Sequence, residues 1–493
     1  MTASKRRRGQ RPQTPPATPP SRQPQWLERY YIYRVQLGFY TNFSVTYEVD
    51  REIGKQDLFH GLLHLVKQQP WYTLQFFNDN PQNPHNGDWR VSVVDKITFS
   101  DNVIFHEVDE FTDAVLQQLN DIVIGMNKHQ PLWRIHVFTD KTRRTWISGV
   151  FCHSVFDGGS GAVFMDELLE QLAGESNCSC NLDLVYHYGK DGTFADGEIP
   201  PPRECLTNLY DPTTTEWIEF YVAEWCRQYL PASIRHWLHW LWHTLTQWLK
   251  GSPSPYAANS PVYYNPNHKW EPKTATKVRN INFSPAQTED MLTWCRNQGV
   301  TLTPFLTVGI CQAMQSSLFH SQLGCSMSAY IALQGRRYYP DMEIKGGFVC
   351  GQDIGLAPIT DAYGAIGYVN QEMWQGIDSR KPFRLTGLVR EVDLDQLFET
   401  RWKAPKKSVT VSNLGRVKEQ HNHYRVLDAF FVSCTGATYN TCANVMSTSR
   451  GGLNVTFCYY PEFDNETVNE RPALDVFADN LTEFCTKWLH TVD

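Results

Sequence analysis

The sequence predicts a mixed α/β protein built as two halves, on three observations. The chain has 493 residues, more than one hydrophobic core usually serves, so at least two packed units are expected. It is 41% hydrophobic and 20% charged, a balance that belongs to globular chains. Strand-like and helix-like stretches recur on both sides of a linker-flanked segment at 201–275, which separates an N-terminal half, 26–200, from a C-terminal half, 276–493.

Residues 1–25, MTASKRRRGQRPQTPPATPPSRQPQ, are basic and then Pro-rich, with too few apolar residues to pack; a disordered tail is expected. Order begins near Trp26. NFSVTYEV (42–49) alternates as a strand does, and KQDLFHGLLHLVKQQP (55–70) places Leu58, Leu62, Leu65 and Val66 on one helical face before Pro70 stops it. WRIHVFT (133–139) and TWISGVFC (145–152) are rich in β-branched and aromatic residues and read as a hairpin across the polar turn DKTRR. GAVFMDELLEQLAG (161–174) reads as a helix closed by Gly174.

The connection at 201–275 has linker-like flanks, IPPPR and GSPSPYAANSP. Beyond it, Ser284 is a suitable N-cap, Pro285 takes the first helical position and Gly299 follows the end of a helix. TLTPFLTVGICQAMQSSL (301–318) gives a second helix. Strand-like pieces follow at MSAYIAL (327–333), SVTVSNLG (408–415), VLDAFFVS (426–433) and LNVTFCYY (453–460). A last amphipathic helix, 474–489, stripes Leu474, Phe477, Leu481, Phe484, Trp488 and Leu489.

Charge and cysteine usage exclude several function classes. A formal net charge of −7 argues against generic nucleic-acid binding, which needs a basic surface. No basic start followed by an apolar run marks a secretory signal, and no run of about eighteen apolar residues marks a spanning helix. The 13 cysteines are odd in number and scattered, which fits reduced thiols in the cytosol better than a disulfide framework. Cys178 and Cys180 in NCSCN have no second Cys or His pair at ligand spacing, so no metal is expected.

The stretch FCHSVFDGGSG (151–161) concentrates the chemistry. His153 stands four residues before Asp157, and Gly158, Gly159, Ser160 and Gly161 then remove nearly all side-chain bulk. One reading is a glycine-rich turn with a structural histidine. The other is a general base at a strand end, beside space kept clear for substrate.

His153-x-x-x-Asp157-Gly158 resembles the signature of the coenzyme-A-dependent acyltransferase superfamily, which includes chloramphenicol acetyltransferase, plant BAHD acyltransferases and peptide-synthetase condensation domains. More narrowly, the chain resembles the fungal alcohol O-acetyltransferase family over roughly residues 26–490. The ordered pieces LERYYIYRVQLGFYTNF, PLWRIHVF, TLTPFLTVG, ALQGRRYYP and VTVSNLG carry that resemblance. The plant DFGWG motif is absent, and Cys152 stands where condensation domains double the histidine.

The resemblance implies two chloramphenicol acetyltransferase-like halves meeting at a central tunnel, with the histidine at its middle. It implies acetyl-CoA as a co-substrate, no bound cofactor, and His153 as general base. Asp157 is implied to turn from substrate and pair with an arginine, Arg336 first and Arg337 as the alternative. Gly158 and Gly159 would allow unusual backbone angles and close approach. Ser412 and Asn413 of VSNLG are implied oxyanion donors. Ser447, Thr448 and Ser449 are another candidate set, similar to a hydroxyl cluster of carnitine acyltransferases. Residues contacting coenzyme A are not identified.

One stretch lies outside that scheme. In SIRHWLHWLWHTLTQWLK (233–250), Ile234, Trp237, Leu238, Leu241, Leu245, Trp248 and Leu249 form one stripe, with His236, His239, His243 and Lys250 opposite and Trp242 at the boundary. That pattern suits a helix on a membrane or lipid-droplet surface, or one packed on the protein's own core. The expected protein is therefore a cytoplasmic monomer, peripheral at endoplasmic reticulum or lipid droplets on the first alternative. Its expected activity is O-acetylation of small or medium-chain alcohols. N-acetylation of an amphipathic, sphingoid-like amine and a non-catalytic binding role remain open.

Overall fold

The computed structural model describes residues 18–487 except 40–41, 81–87, 174–182, 192–193, 195–196, 203–204, 232, 236, 239–240, 242–253, 259–275, 323, 343–344, 404–405 and 437. The N-terminal elements are β1 (Ser21–Arg22), α1 (Trp26–Gln36), β2 (Phe43–Val49), α2 (Lys55–Gln68), β3 (Leu74–Asn78), β4 (Trp89–Val93), β5 (Lys96–Thr98) and α3 (Phe99–Asn102). Then come β6 (Val103–Val108), α4 (Asp113–Asn120), β7 (Trp133–Asp140), β8 (Thr145–Phe151), α5 (Gly158–Gln171), β9 (Leu184–His187) and α6 (Thr214–Tyr229). The C-terminal part begins with β10 (Lys277–Phe283), α7 (Pro285–Asn297), α8 (Leu302–Gln315), β11 (Met327–Gln334), β12 (Val349–Leu356), α9 (Ala362–Ser379) and α10 (Lys381–Gly387). It ends with α11 (Leu394–Lys403), β13 (Lys407–Arg416), β14 (Val426–Ser433), β15 (Tyr439–Thr448), β16 (Gly452–Tyr459) and α12 (Ala473–Lys487).

Two mixed sheets organise the halves. The first runs β14-β2-β8-β7-β6, antiparallel except for the parallel β6–β7 pair. The second runs β10-β16-β15-β13-β11-β12, with parallel pairing at β11–β13 and β13–β15. The β7–β8 hairpin turns where DKTRR falls, because Asp140 Oδ1 accepts from the backbone N–H groups of Thr142 at 2.8 Å and Arg144 at 2.9 Å.

Each half has its own apolar core. The cores share elements, and the two-residue period of a strand explains how. On β15, Cys442 and Met446 enter the first core while Ala443 and Val445 enter the second. Helix α1 does the same on a helical wheel: Ile32 packs into the first core and Tyr33 into the second. These elements are buried on both sides, so they form the joint between the halves.

Three expectations change, and one buried segment is added to the core. Residues 18–25 are not part of a featureless tail: Ser21 pairs with Ser92 and Arg22 with Val91, and the Arg22 guanidinium grips the Glu28 carboxylate at 2.8 and 2.9 Å. The backbone of β1 satisfies an open edge of β4, which composition alone does not reveal. Helix α5 begins at Gly158 rather than Gly161, because Asp157 is its N-cap and Ser160 completes a reciprocal capping box. A cut at residue 276 does not separate the sheets either, since β14 crosses back to pair with β2. Finally, Leu209 and Tyr210 of the connection are fully buried in the second core. Gly174, Trp488, Leu489, Cys178 and Cys180 lie outside the described residues.

A largely buried polar cluster also ties the halves together. Tyr72 Oη donates to Glu167 Oε2 on α5 at 2.5 Å, and Lys345 Nζ donates to Tyr72 Oη at 3.1 Å and pairs with Glu167 Oε1. Breaking a buried pair leaves an uncompensated charge, which costs more than the intact pair contributes. Lys345→Met should therefore lower the unfolding free energy by about 3 kcal/mol, and adding Glu167→Gln should recover part of the loss. Urea denaturation of the two single variants and the double variant measures the coupling; independent, additive effects would show that the pair does not hold the halves.

Candidate active site

Strand β8 ends at Phe151, and the chain folds at once into a tight turn. The Cys152 N–H donates to Leu132 O at 3.0 Å, while Cys152 O accepts from Val155 N and Phe156 N at 3.3 and 3.2 Å. His153 sits in this turn, between a buried strand and the first turn of α5. Its ring stacks on Tyr31 of α1 with centroids 4.4 Å apart and planes 13° apart, and Phe43 meets it edge-on at 5.5 Å. Two aromatic walls thus fix the plane of the imidazole.

The electrostatics of that position favour the neutral ring. Burial removes water from the imidazolium and is the largest effect, and the nearby Arg34 guanidinium adds repulsion. Backbone hydrogen bonds at residues 153 and 156 and the Asp157 carboxylate pull the other way and lose. The pKa of His153 is lowered to about 4, so the ring carries a free base at neutral pH.

Asp157 turns away from this ring into the junction of the halves. Its Oδ2 accepts from Arg336 Nη1 at 2.7 Å and from the Phe348 backbone N–H at 2.8 Å, while Oδ1 accepts from Ser160 N at 2.7 Å. Arg336 also donates through Nη2 to Gly346 O at 2.8 Å. Burial alone would raise the carboxyl pKa, but the guanidinium and these N–H donors overcome it and hold the group below the usual carboxylate range. Arg337, the alternative partner, instead lies over the Trp374 ring at 5.2 Å.

Gly158 and Gly159 adopt ordinary helical angles, since neither has a positive φ. Their use is close approach alone. A Cβ on Gly158 would stand 2.9 Å from Leu414 Cδ2 and 3.1 Å from Phe431 Cζ, and one on Gly159 would stand 2.1 Å from Gln334 Nε2. Added bulk there would push into the seam between the halves.

A cavity of about 1300 Å³ opens in front of this turn, lined from both halves. Tyr31, Arg34, Phe43 and His153 contribute from the first, and Tyr330, Ser412, Asn413 and Cys442 from the second. On β13, Val409 and Val411 enter the second core, so Thr410 and Ser412, two residues apart, share the opposite, cavity-lining face. Asn413 is committed to shape: its Nδ2 donates to Thr303 Oγ1 at 3.0 Å and its Oδ1 accepts from Gly415 N at 2.8 Å. That side chain braces a bulge between Asn413 and Gly415, where Gly415 has φ 78°.

The second hydroxyl set is placed elsewhere. Thr448 Oγ1 donates to Leu427 O at 2.7 Å, Ser449 Oγ to the Glu419 carboxylate, and none of Ser447, Thr448 or Ser449 lines the cavity. Ser447 and Thr448 end β15 and Ser449 begins its turn to β16, so they are corrected from oxyanion donors to hairpin residues. Conversely, Tyr31 and Arg34 are site residues that no motif marks, although Leu27, Tyr31 and Arg34 recur at helical spacing and all line the cavity. Among the described residues, no group of His, Cys, Asp and Glu side chains is arranged to hold a metal ion.

The fold and this turn define a two-half acyltransferase-type architecture with an imidazole at the seam. The chain belongs to the alcohol acetyltransferase family, which it matches over residues 26–485, and that family places it among the acyltransferases. It is similar to the N-acetyltransferase SLI1 of Saccharomyces cerevisiae, 19% identical over 88% of this chain and 94% of that protein. An uncharacterized protein of Schizosaccharomyces pombe is 26% identical over 42% of each chain, so that match spans less than half of the relative's length. Among solved structures, the fold is similar to TRI3 trichothecene 15-O-acetyltransferase from Fusarium sporotrichioides, with TM-score 0.63, 9% identity and 95% of both chains covered. It is also similar to the first condensation domain of the CDA synthetase, with TM-score 0.58, 15% identity, and 97% of this chain and 99% of that one covered.

Every group around the Asp157 carboxylate is a donor, so an acceptor-only side chain is required. Asp157→Asn would present an N–H₂ group to one of those donors and leave the largely buried Arg336 guanidinium without its anion. Its unfolding free energy should fall by roughly 3–5 kcal/mol, with turnover falling alongside. Chemical denaturation and residual activity of the purified variant test this; unchanged stability would mean the carboxylate does not hold the seam.

Proposed function

We propose that the protein is an acetyl-CoA-dependent O-acetyltransferase that forms acetate esters from small or medium-chain alcohols, with His153 as the general base. The observation that carries this reading is an imidazole held between Tyr31 and Phe43 on the wall of a cavity of about 1300 Å³. Transfer from a thioester to an alcohol removes a proton from a weak nucleophile as its oxygen bonds to the acetyl carbon. The unprotonated ring takes that proton. The tetrahedral oxyanion then needs a donor, and the Ser412 hydroxyl, on the cavity face of β13, supports that role. Collapse breaks the carbon–sulfur bond, and the imidazolium returns its proton to the departing thiolate. Asp157 acts through position: its carboxylate oxygens are taken up by Arg336 and by backbone N–H groups, and so hold the turn.

A second reading is favoured by one observation, the similarity to an N-acetyltransferase along nearly the whole chain. An amine acceptor is protonated in water and must lose a proton before it attacks, so the same base serves both nucleophiles. A thiol-release assay with acetyl-CoA and panels of alcohols and long-chain amines decides between them. Release with neither panel would leave the binding-protein reading standing.

His153→Ala should reduce turnover by about 10²–10⁴-fold while the protein stays folded. Near-wild-type turnover would place the base elsewhere. The acid limb of the pH profile follows from the direction of the shift. Because the pKa is lowered to about 4, the ring stays unprotonated as pH falls, and kcat/KM on a water-soluble alcohol should stay level down to roughly pH 5. A limb centred near an ordinary histidine value would contradict the half-buried, Arg34-repelled imidazole.

A further inference from the structure

Helix α6 carries its apolar stripe on the wrong side for a core helix. Ile218, Tyr221, Val222, Trp225 and Tyr229 are each between 54% and 62% exposed. At 3.6 residues per turn they fall within an arc of about 100°, on the side opposite Glu216. The one buried side chain described on the helix is polar. Glu216 is buried and accepts from Arg384 Nε at 2.9 Å and Nη2 at 3.0 Å, and Arg227 Nη2 donates to Gln396 Oε1 at 3.1 Å. The helix is therefore tied to α10 by an ion pair and to α11 by an exposed hydrogen bond, and it presents most of its apolar residues outward. Three described residues of the Trp-rich stretch, Ile234, Trp237 and Leu241, are exposed as well. His236, His239, His243, Trp242, Leu245, Trp248, Leu249 and Lys250 lie outside the described residues.

We propose that the outward stripe of α6 docks on the surface of a zwitterionic lipid membrane, and that the acceptor reaches the cavity from that surface. Three observations favour lipid as the occupant. The stripe itself has no charged side chain and is rich in Trp and Tyr, whose apolar bodies and polar tips suit the headgroup boundary. The charges beside it are balanced: Glu216 pairs with Arg384 and Glu224 with Arg227, leaving Glu219 and Arg235 of opposite sign, so no anionic lipid is called for. The stripe also adjoins the rim of the cavity, because Lys381, Pro382 and Leu385 of α10, the helix that anchors Glu216, line that cavity. Leu385 is itself exposed at this rim. No helix among the described residues is long and apolar enough to cross a membrane, so the contact is interfacial.

The test uses the full chain and a double variant on the outward face, Val222→Glu with Trp225→Glu. In flotation with phosphatidylcholine vesicles, without acetyl-CoA, the wild-type protein should bind and the variant should partition at least about tenfold less. The variant should melt with the wild type, since both positions are exposed. Its thiol release on a short water-soluble alcohol should be unchanged, while release on a long-chain acceptor dissolved in the vesicles should fall by a similar factor. Only this last arm rests on the acetyltransferase reading; flotation stands without it. Equal flotation, or no flotation of the wild type, would overturn the proposal. So would a lower melting temperature in the variant, which would mean that the stripe packs on its own chain. A wild-type dimer that the variant dissociates, with no vesicle binding, would assign the stripe to a second copy instead.

Discussion

Asp157 joins the two halves at the place where the imidazole stands, and the rest of the site depends on that joint. A carboxylate accepts but never donates, and its three partners come from three separate places: the first turn of α5, the arginine after β11 and the backbone before β12. One side chain thereby caps a helix, neutralises a guanidinium and closes the seam. The pair is not a large source of net stability, because both ions surrender water to form it. Its value is geometric. With Asp157 held, the residues from 152 to 157 have little freedom, and His153 is presented at a fixed depth.

The same burial that makes the ion pair costly makes the histidine useful. An imidazole in water is about half protonated a little below neutrality. Between Tyr31 and Phe43, and beside Arg34, the charged form is disfavoured and the base is free. A half-buried neutral ring also costs the folded state little at neutral pH; the linkage runs against stability only on the acid side. As pH falls from about 6.5 towards the lowered pKa, the unfolded chain binds the proton first, so folding stability declines across that window. Chemistry and folding therefore favour the same protonation state near neutrality.

Two cores sharing their strands explain why the seam can be both polar and firm. Strand β15 gives alternate side chains to the two cores, and β14 leaves the second half to complete the sheet of the first. Neither half closes its core without the other. The cavity lies where these shared elements end, so its walls are set by rigid strands rather than by loops alone. Helix α6 is the exception, held from its polar side and apolar outward.

The amino-acid order by itself determined the local periods and the turn chemistry. The β7–β8 hairpin, the helical stripes of α2 and α12, the caps at Ser284 and Pro285, and the small residues after Asp157 all depend on neighbours within a few positions, where propensity and spacing decide. The pattern His153-x-x-x-Asp157-Gly158 was legible for the same reason. Tertiary structure alone decided what depends on partners far along the chain. It chose Arg336 over Arg337, since adjacent residues in a tight turn point apart and only one reaches the carboxylate. It set Tyr31 and Arg34 beside a ring more than a hundred positions away, and placed Ser447, Thr448 and Ser449 at the end of the β15–β16 hairpin, off the cavity wall. It also sent β14 across the seam. A period states which residues share a face; what that face meets is set by the packing of the whole chain, which no window of sequence contains.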